Sequence, residues 1–185
     1  MGLFSDIIAK ASDVGFIVYG SKSNEDKKKS LKQLERQLKI VTQIYKKTGK
    51  GSLKSIERLK TRIFAQKNTL TSTSLSTVWC ALDLLGINSK AILNPIEFTA
   101  SLATLSASIN TESAATIAFD AIASCAQAKM VFDNLFSDGE KTHATLDMRV
   151  VALLASSASS LIKSKEEIPK VAALVKNALF GTSKA

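Results

Sequence analysis

His143 is the only histidine in the chain, and with Glu140 at i−3 and Asp147 at i+4 it shares one helical face with two carboxylates. That spacing is suited to passing a proton or gripping a metal. A zinc centre needs three or four protein ligands, and neither Cys80 nor Cys125 lies near enough in sequence to complete one. The competing reading is electrostatic: carboxylates in the first turn of a helix are favoured by its dipole, and this asks for no ligand.

Nucleophilic chemistry is as poorly provided for. No Gly-x-Ser-x-Gly elbow occurs, and pairing either cysteine with His143 would rest on a coincidence of folding. Both cysteines sit in apolar helical stretches, where a reduced, buried thiol is ordinary packing. Gly49-Lys50-Gly51-Ser52 has the glycines and lysine of a phosphate loop, but its first glycine should stand at Ile44 and Gly51 occupies the Ser/Thr position. A helix rather than a strand precedes it, so a nucleotide-hydrolysing loop is excluded. Lys50 and the helix start behind it make an anion contact at most. The expectation is a non-enzymatic protein with no cofactor and no metal.

The charge distribution is more informative. Met1 to Leu70 hold 16 Lys and Arg against 6 Asp and Glu, whereas Thr71 to Ala185 hold 9 against 10. The first part is built to face an anionic partner or water, and the second, rich in Ala, Ser, Leu and Ile, to bury itself. At 185 residues the chain is the size of one domain, divided into basic N-terminal helices over 1–70 and an Ala/Ser-rich helical core over 71–185.

Two prolines, eight glycines and apolar residues at steps of three and four mean helix almost throughout. The fold class is all-α: a single-domain bundle of six to eight helices with a basic N-terminal helical hairpin. Helix is expected over 3–19, with Leu3, Phe4, Ile7, Ile8, Ala11, Val14 and Val18 on its inner face, ended by Gly20. A second helix over 25–47 carries Leu31, Leu34, Leu38 and Val41, and a third, capped by Ser52, carries Leu53, Ile56, Leu59 and Ile63. Two matched seams joined by a Gly turn predict an antiparallel pair. Thr69 to Ser76, a run of Thr, Ser and Leu without charge, is expected to be a joint. Further helices are expected over 75–85, 89–109, 112–136, 140–163 and 170–179, with Trp79 as a packing anchor and Pro169 near a helix start.

The hairpin surrounds its seams with Lys27, Lys28, Lys29, Lys32, Arg36, Lys39, Lys46, Lys47, Lys50, Lys54, Arg58, Lys60 and Arg62. The leading partner is an anionic lipid surface, where each lysine or arginine contributes about 1 kcal/mol, with helical effector or pore-forming proteins as the functional analogy. Leu3, Phe4, Ile7 and Ile8 are the membrane-insertion candidates, and the first ten residues look like short membrane-active peptides. Asp6, Asp13 and Lys10 nevertheless favour docking of that helix on its own protein core. Nucleic acid is a non-specific alternative, because 13 lysines against 3 arginines before residue 71 suit phosphate contact rather than base readout. The remaining alternative is a protein-binding adaptor that takes an acidic partner on its charges or a partner helix on the Leu/Ile seam. No uncharged apolar run reaches the ~18 residues of a membrane span. No basic n-region of a signal peptide opens the chain. The expectation is a chain soluble as synthesised, intracellular or exported without a recognisable signal, with peripheral membrane association and an unassigned oligomeric state.

Overall fold

Three expected helix boundaries are not breaks in the backbone. The computed structural model describes residues 2–87, 89–109, 111–136 and 143–180, and they form an all-α fold of five helices: α1 (Gly2–Thr48), α2 (Leu53–Leu84), α3 (Lys90–Ile109), α4 (Ala114–Phe136) and α5 (His143–Phe180). No strand occurs among the described residues.

Each fusion has a physical cause. Gly20 is a point of close approach rather than a cap: a Cβ there would stand 2.7 Å from Thr77 Oγ1, so its bare backbone lets α1 lie against α2. The Thr/Ser run is not a joint, because its hydroxyls bond back to carbonyls four residues earlier and stay inside the helix. Thr69 donates to Ala65 O at 3.0 Å, Thr73 to Thr69 O at 3.1 Å and Thr77 to Thr73 O at 2.9 Å. Pro169 lies within α5, exposed at the surface, and removes one backbone donor. The helix continues past it because Val171 and Val175 pack into an apolar cluster with α1 and α2.

The expected turn between α1 and α2 is present. Gly49 and Gly51 hold φ of 64° and 104°, a region glycine enters without a side-chain clash. Gly49 N donates to Tyr45 O at 2.9 Å, closing α1, and Ser52 caps α2 by accepting from Ser55 N at 3.1 Å. From this turn α2 runs back along α1, with Gln66 reaching Lys27 O and Thr73 reaching Asn24.

The packing forms a closed circuit: α1 on α2, α2 on α3, α3 on α4, α4 on α5, and α5 back on α1, with a lesser α2–α5 contact across it. Beyond Arg62, toward the Gly turn, the core is Leu34, Val41, Ile56, Leu59, Ile63 and Val171. These residues come from α1, α2 and α5 alone, so this end is an arm of three helices. In the remainder of the fold the usual distribution of polarity is inverted.

Candidate functional site

The arm places most of the expected cations outward. Lys28, Lys29, Lys32, Arg36, Lys39, Lys46, Lys47, Lys50, Lys54 and Lys60 are exposed, and Arg58 is half-buried. Two are corrected: Lys27 and Arg62 are 2% and 0% exposed and belong to the interior, because the i+3/i+4 positions they share with the seam turn them toward α5. The seam itself is occupied. Leu34, Val41, Ile56, Leu59 and Ile63 are buried against one another and Val171, Leu31 and Leu38 pack on them partly buried, and Leu53 alone is exposed, at the start of α2.

The interior away from the arm is polar. Among the described residues 24 polar or charged side chains are buried against 17 apolar ones, the reverse of a water-soluble core. Three levels of ionic contact cross it. At the arm end, Arg62 pairs with Glu112 and with Glu166 (2.9 Å) and donates to Lys163 O at 3.3 Å. One level in, Lys163 Nζ meets Asp120 Oδ2 at 2.8 Å, and the same carboxylate accepts from Ser108 and Ser159. Farthest from the arm, the Arg149 guanidinium lies over the Trp79 ring, stands 5.7 Å from the Phe16 ring centroid and donates to Cys80 Sγ at 2.9 Å. Glu97 accepts from Ser76 at 2.9 Å in the same region.

Burial is the largest influence on the titration of Glu97, Glu112, Cys80, Lys27 and Arg149. It raises the Glu97 carboxyl to about 7 against the pull of Arg149, raises Glu112 against Arg62, and pushes the Cys80 thiol up to about 12. Lys27, on hydroxyl partners only, comes down to about 7, and Arg149 is lowered. With its thiol pushed up, Cys80 is a poor nucleophile at neutral pH; a carboxyl titrating near 7 is suited to proton transfer, but Glu97 is fully buried, with no exposed surface for a substrate to reach. No cluster of three or more metal-ligating side chains occurs among the described residues.

The outside is apolar where the inside is polar. On α3 the exposed positions with described side chains are Ile92, Pro95, Ile96, Thr99, Leu102, Ser106 and Ile109, none charged. On α4, Ile122, Phe132 and Leu135 are exposed, and Lys129 is paired to Asp133 at 3.0 Å. α5 adds Val150, Leu154 and Leu161. Over Ala114–Asp133 α4 is long and apolar enough to cross a membrane, the one such helix among the described residues, and 39% of that window is buried.

The first helix is corrected in the same sense. Ile7, Val14 and Val18, expected inward, are 57%, 50% and 64% exposed, whereas Asp13 is 2% exposed. Leu3, Phe4 and Ile8 have side chains outside the described residues, as do His143, Glu140 and Asp147. Cys125 is exposed on α4 rather than packed, and Cys80 is buried. Trp79, 3% exposed, is an anchor as expected, with a cation on its face. Ala152, Ser156 and Ser159 line a buried face of α5, and Ala114 and Ala118 of α4 face outward.

The buried ions were missed by sequence reasoning. A usable signal was present: Asp13, Glu97 and Asp120 each stand alone among apolar or small residues, where an unpartnered charge would be costly. No protein-family model matches the chain, and no curated protein or solved structure matches it. What the protein does must be argued from this distribution of polarity.

Proposed function

We propose that the protein is a non-enzymatic, membrane-associated helical protein. It sets the apolar outer face of α3 and α4 against lipid acyl chains and the cationic α1–α2 arm against anionic headgroups. The carrying observation is the uncharged outer face of α3 above an interior that holds Glu97, Asp120, Arg62, Arg149 and Lys163. In water, exposed apolar area of this extent marks an interaction site. Against lipid it is the ordinary outer surface, and polar groups then belong inside, paired with one another.

The arm supports the same reading. Ten exposed cations of α1 and α2 stand on its three-helix stem or beside its base. Each cation near an acidic lipid surface contributes about 1 kcal/mol. Small hydroxyl-bearing faces between the helices, as at Ser101 and Ser124 (2.8 Å), allow close axes that can shift in register, the property that effector-like or pore-forming proteins use.

Co-sedimentation with vesicles tests this. Binding is expected to vesicles of phosphatidylglycerol mixed with phosphatidylcholine, to weaken with salt, and to weaken again when Lys46, Lys47, Lys50 and Lys54 are changed together to Gln. Binding indifferent to lipid charge and salt would remove the arm from the mechanism. A chain that ignores vesicles but forms a stable oligomer, or that binds DNA or RNA with a steep salt dependence, would overturn the membrane reading.

A further inference from the structure

A cleft of about 320 Å³ lies between α1 and α5, a size within the roughly 300–1,000 Å³ of small-molecule sites. Its lining is mixed. One wall is apolar, with Leu153, Leu154 and Leu161 from α5 and Tyr19 from α1; Leu154 and Leu161 are 59% and 54% exposed, so the wall opens outward. The floor holds Lys27 and Ser30.

Lys27 is the unusual group. Of the other buried cations, Lys163 meets Asp120 and Arg62 meets Glu112 and Glu166, while Arg149 lies over the Trp79 ring and donates to Cys80 Sγ, away from the cleft. Lys27 Nζ donates only to hydroxyls, those of Ser23 at 2.9 Å and of Ser156 and Ser157 at 3.3 Å, and no carboxylate pairs with it among the described residues. Ser30 Oγ is buried in the same floor with no partner. A buried cation without a counter-ion beside an unused hydroxyl is complementary to an oxyanion, and the leucine wall is complementary to an alkyl chain.

We propose that the α1–α5 cleft binds an anionic amphiphile, its carboxylate or phosphate head on Lys27 and Ser30 and its alkyl chain along Leu154 and Leu161. The site extends the membrane reading to a single lipid molecule but does not depend on it, because a monomeric amphiphile in water suffices to fill it. The other charged groups in the cleft are Lys22 and Asp26 of α1; α5 contributes only Leu and Ser side chains there, and α2 faces Lys27 through Gln66, which reaches its carbonyl. Burial brings the Lys27 ammonium down to about 7, so binding should weaken as pH rises above neutrality.

Isothermal titration with dodecanoate, dodecyl phosphate, inorganic phosphate and lysophosphatidylcholine, each below its aggregation threshold, separates the sources of the head. The first two are expected to bind, with the preference between them naming the head, while the tail-less anion, with no alkyl area to bury, and the zwitterion, without net negative charge for the ammonium, bind at least about tenfold more weakly. Lys27→Met should lose at least about tenfold in affinity for the anionic amphiphiles while keeping its helical circular dichroism and vesicle co-sedimentation. Leu154→Trp, at an exposed position that leaves the core alone, should block the chain and lose affinity likewise. Equal binding of inorganic phosphate or of the zwitterion, unchanged affinity in both variants, or no binding of any probe overturns the site; loss of vesicle binding with amphiphile binding intact overturns the membrane reading instead.

Discussion

At Glu97 the physical question is which protonation state the fold prefers. The carboxyl is buried, accepts from Ser76 at 2.9 Å and titrates near 7 rather than 4.5, because burial outweighs the attraction of Arg149. Between those values the folded chain holds a proton that the unfolded chain has released, so stability should fall as pH rises from about 4.5 to about 7. Glu97→Gln, which keeps shape and hydrogen bonding without the charge, should flatten that slope; urea midpoints at pH 5 and pH 7 measure it, and an unchanged slope would assign the pH dependence elsewhere. The cysteines make a second contrast. Cys80 is buried and its thiol is pushed up to about 12, whereas Cys125 is exposed on α4, and reactivity follows thiolate and access. Under native conditions an aromatic disulfide reagent should label Cys125 and spare Cys80 until the chain unfolds, with mass spectrometry of the fragments deciding. Prompt labelling of both would place Cys80 at the surface.

Helix existence and type were legible at the level of elements, whereas helix ends were not. The three-to-four-residue spacing from Leu31 to Val41 and from Leu53 to Ile63 lies in packed helices joined at the Gly49–Gly51 turn. Ser52 caps where a cap was expected. Gly20 and the Thr69–Ser76 run read as interruptions in the sequence, because glycine and hydroxyl residues end helices when they face water. Here they lie between α1 and α2, where small size and back-bonded hydroxyls favour contact, and only the tertiary neighbour reveals that. The two glycines of α1 test the distinction. Gly15 has open space around its Cβ position, so Gly15→Ala should stabilise the helix by up to about 1 kcal/mol through propensity alone. Gly20→Ala offers the same propensity gain but puts a methyl 2.7 Å from Thr77 Oγ1, so it should destabilise. Thermal unfolding of both variants checks the signs; stabilisation by both would mean that α1 and α2 do not approach closely at Gly20.

For the whole molecule, the candidate site was half legible. The lysines of the arm could be read from composition, because a charge surplus confined to residues 1–70 must face outward for the most part. The inverted remainder could not, since a helix with apolar residues on one side and single charges on the other has the same periodicity whichever side is buried. Lys27 and Arg62 were misplaced for that reason, and so were Val14 and Val18. The inversion makes a prediction opposite to the rule for a water-soluble core, and residues two apart on α4 isolate it. Asp120 is 3% exposed and holds Lys163, Ser108 and Ser159; Ile122 is 46% exposed. Asp120→Leu replaces a buried charge with an apolar side chain but strands the Lys163 ammonium, which should cost about 3–5 kcal/mol of stability. Ile122→Lys adds a charge to an apolar face and should leave urea unfolding within about 0.5 kcal/mol of the parent, while reducing co-sedimentation with phosphatidylglycerol vesicles despite the added positive charge. Electrostatic adsorption alone would predict the reverse for Ile122→Lys, tighter binding to acidic lipid, so a gain in vesicle affinity would show that the arm acts without the α3–α4 face. A loss with folding intact would show that the face enters the acyl region.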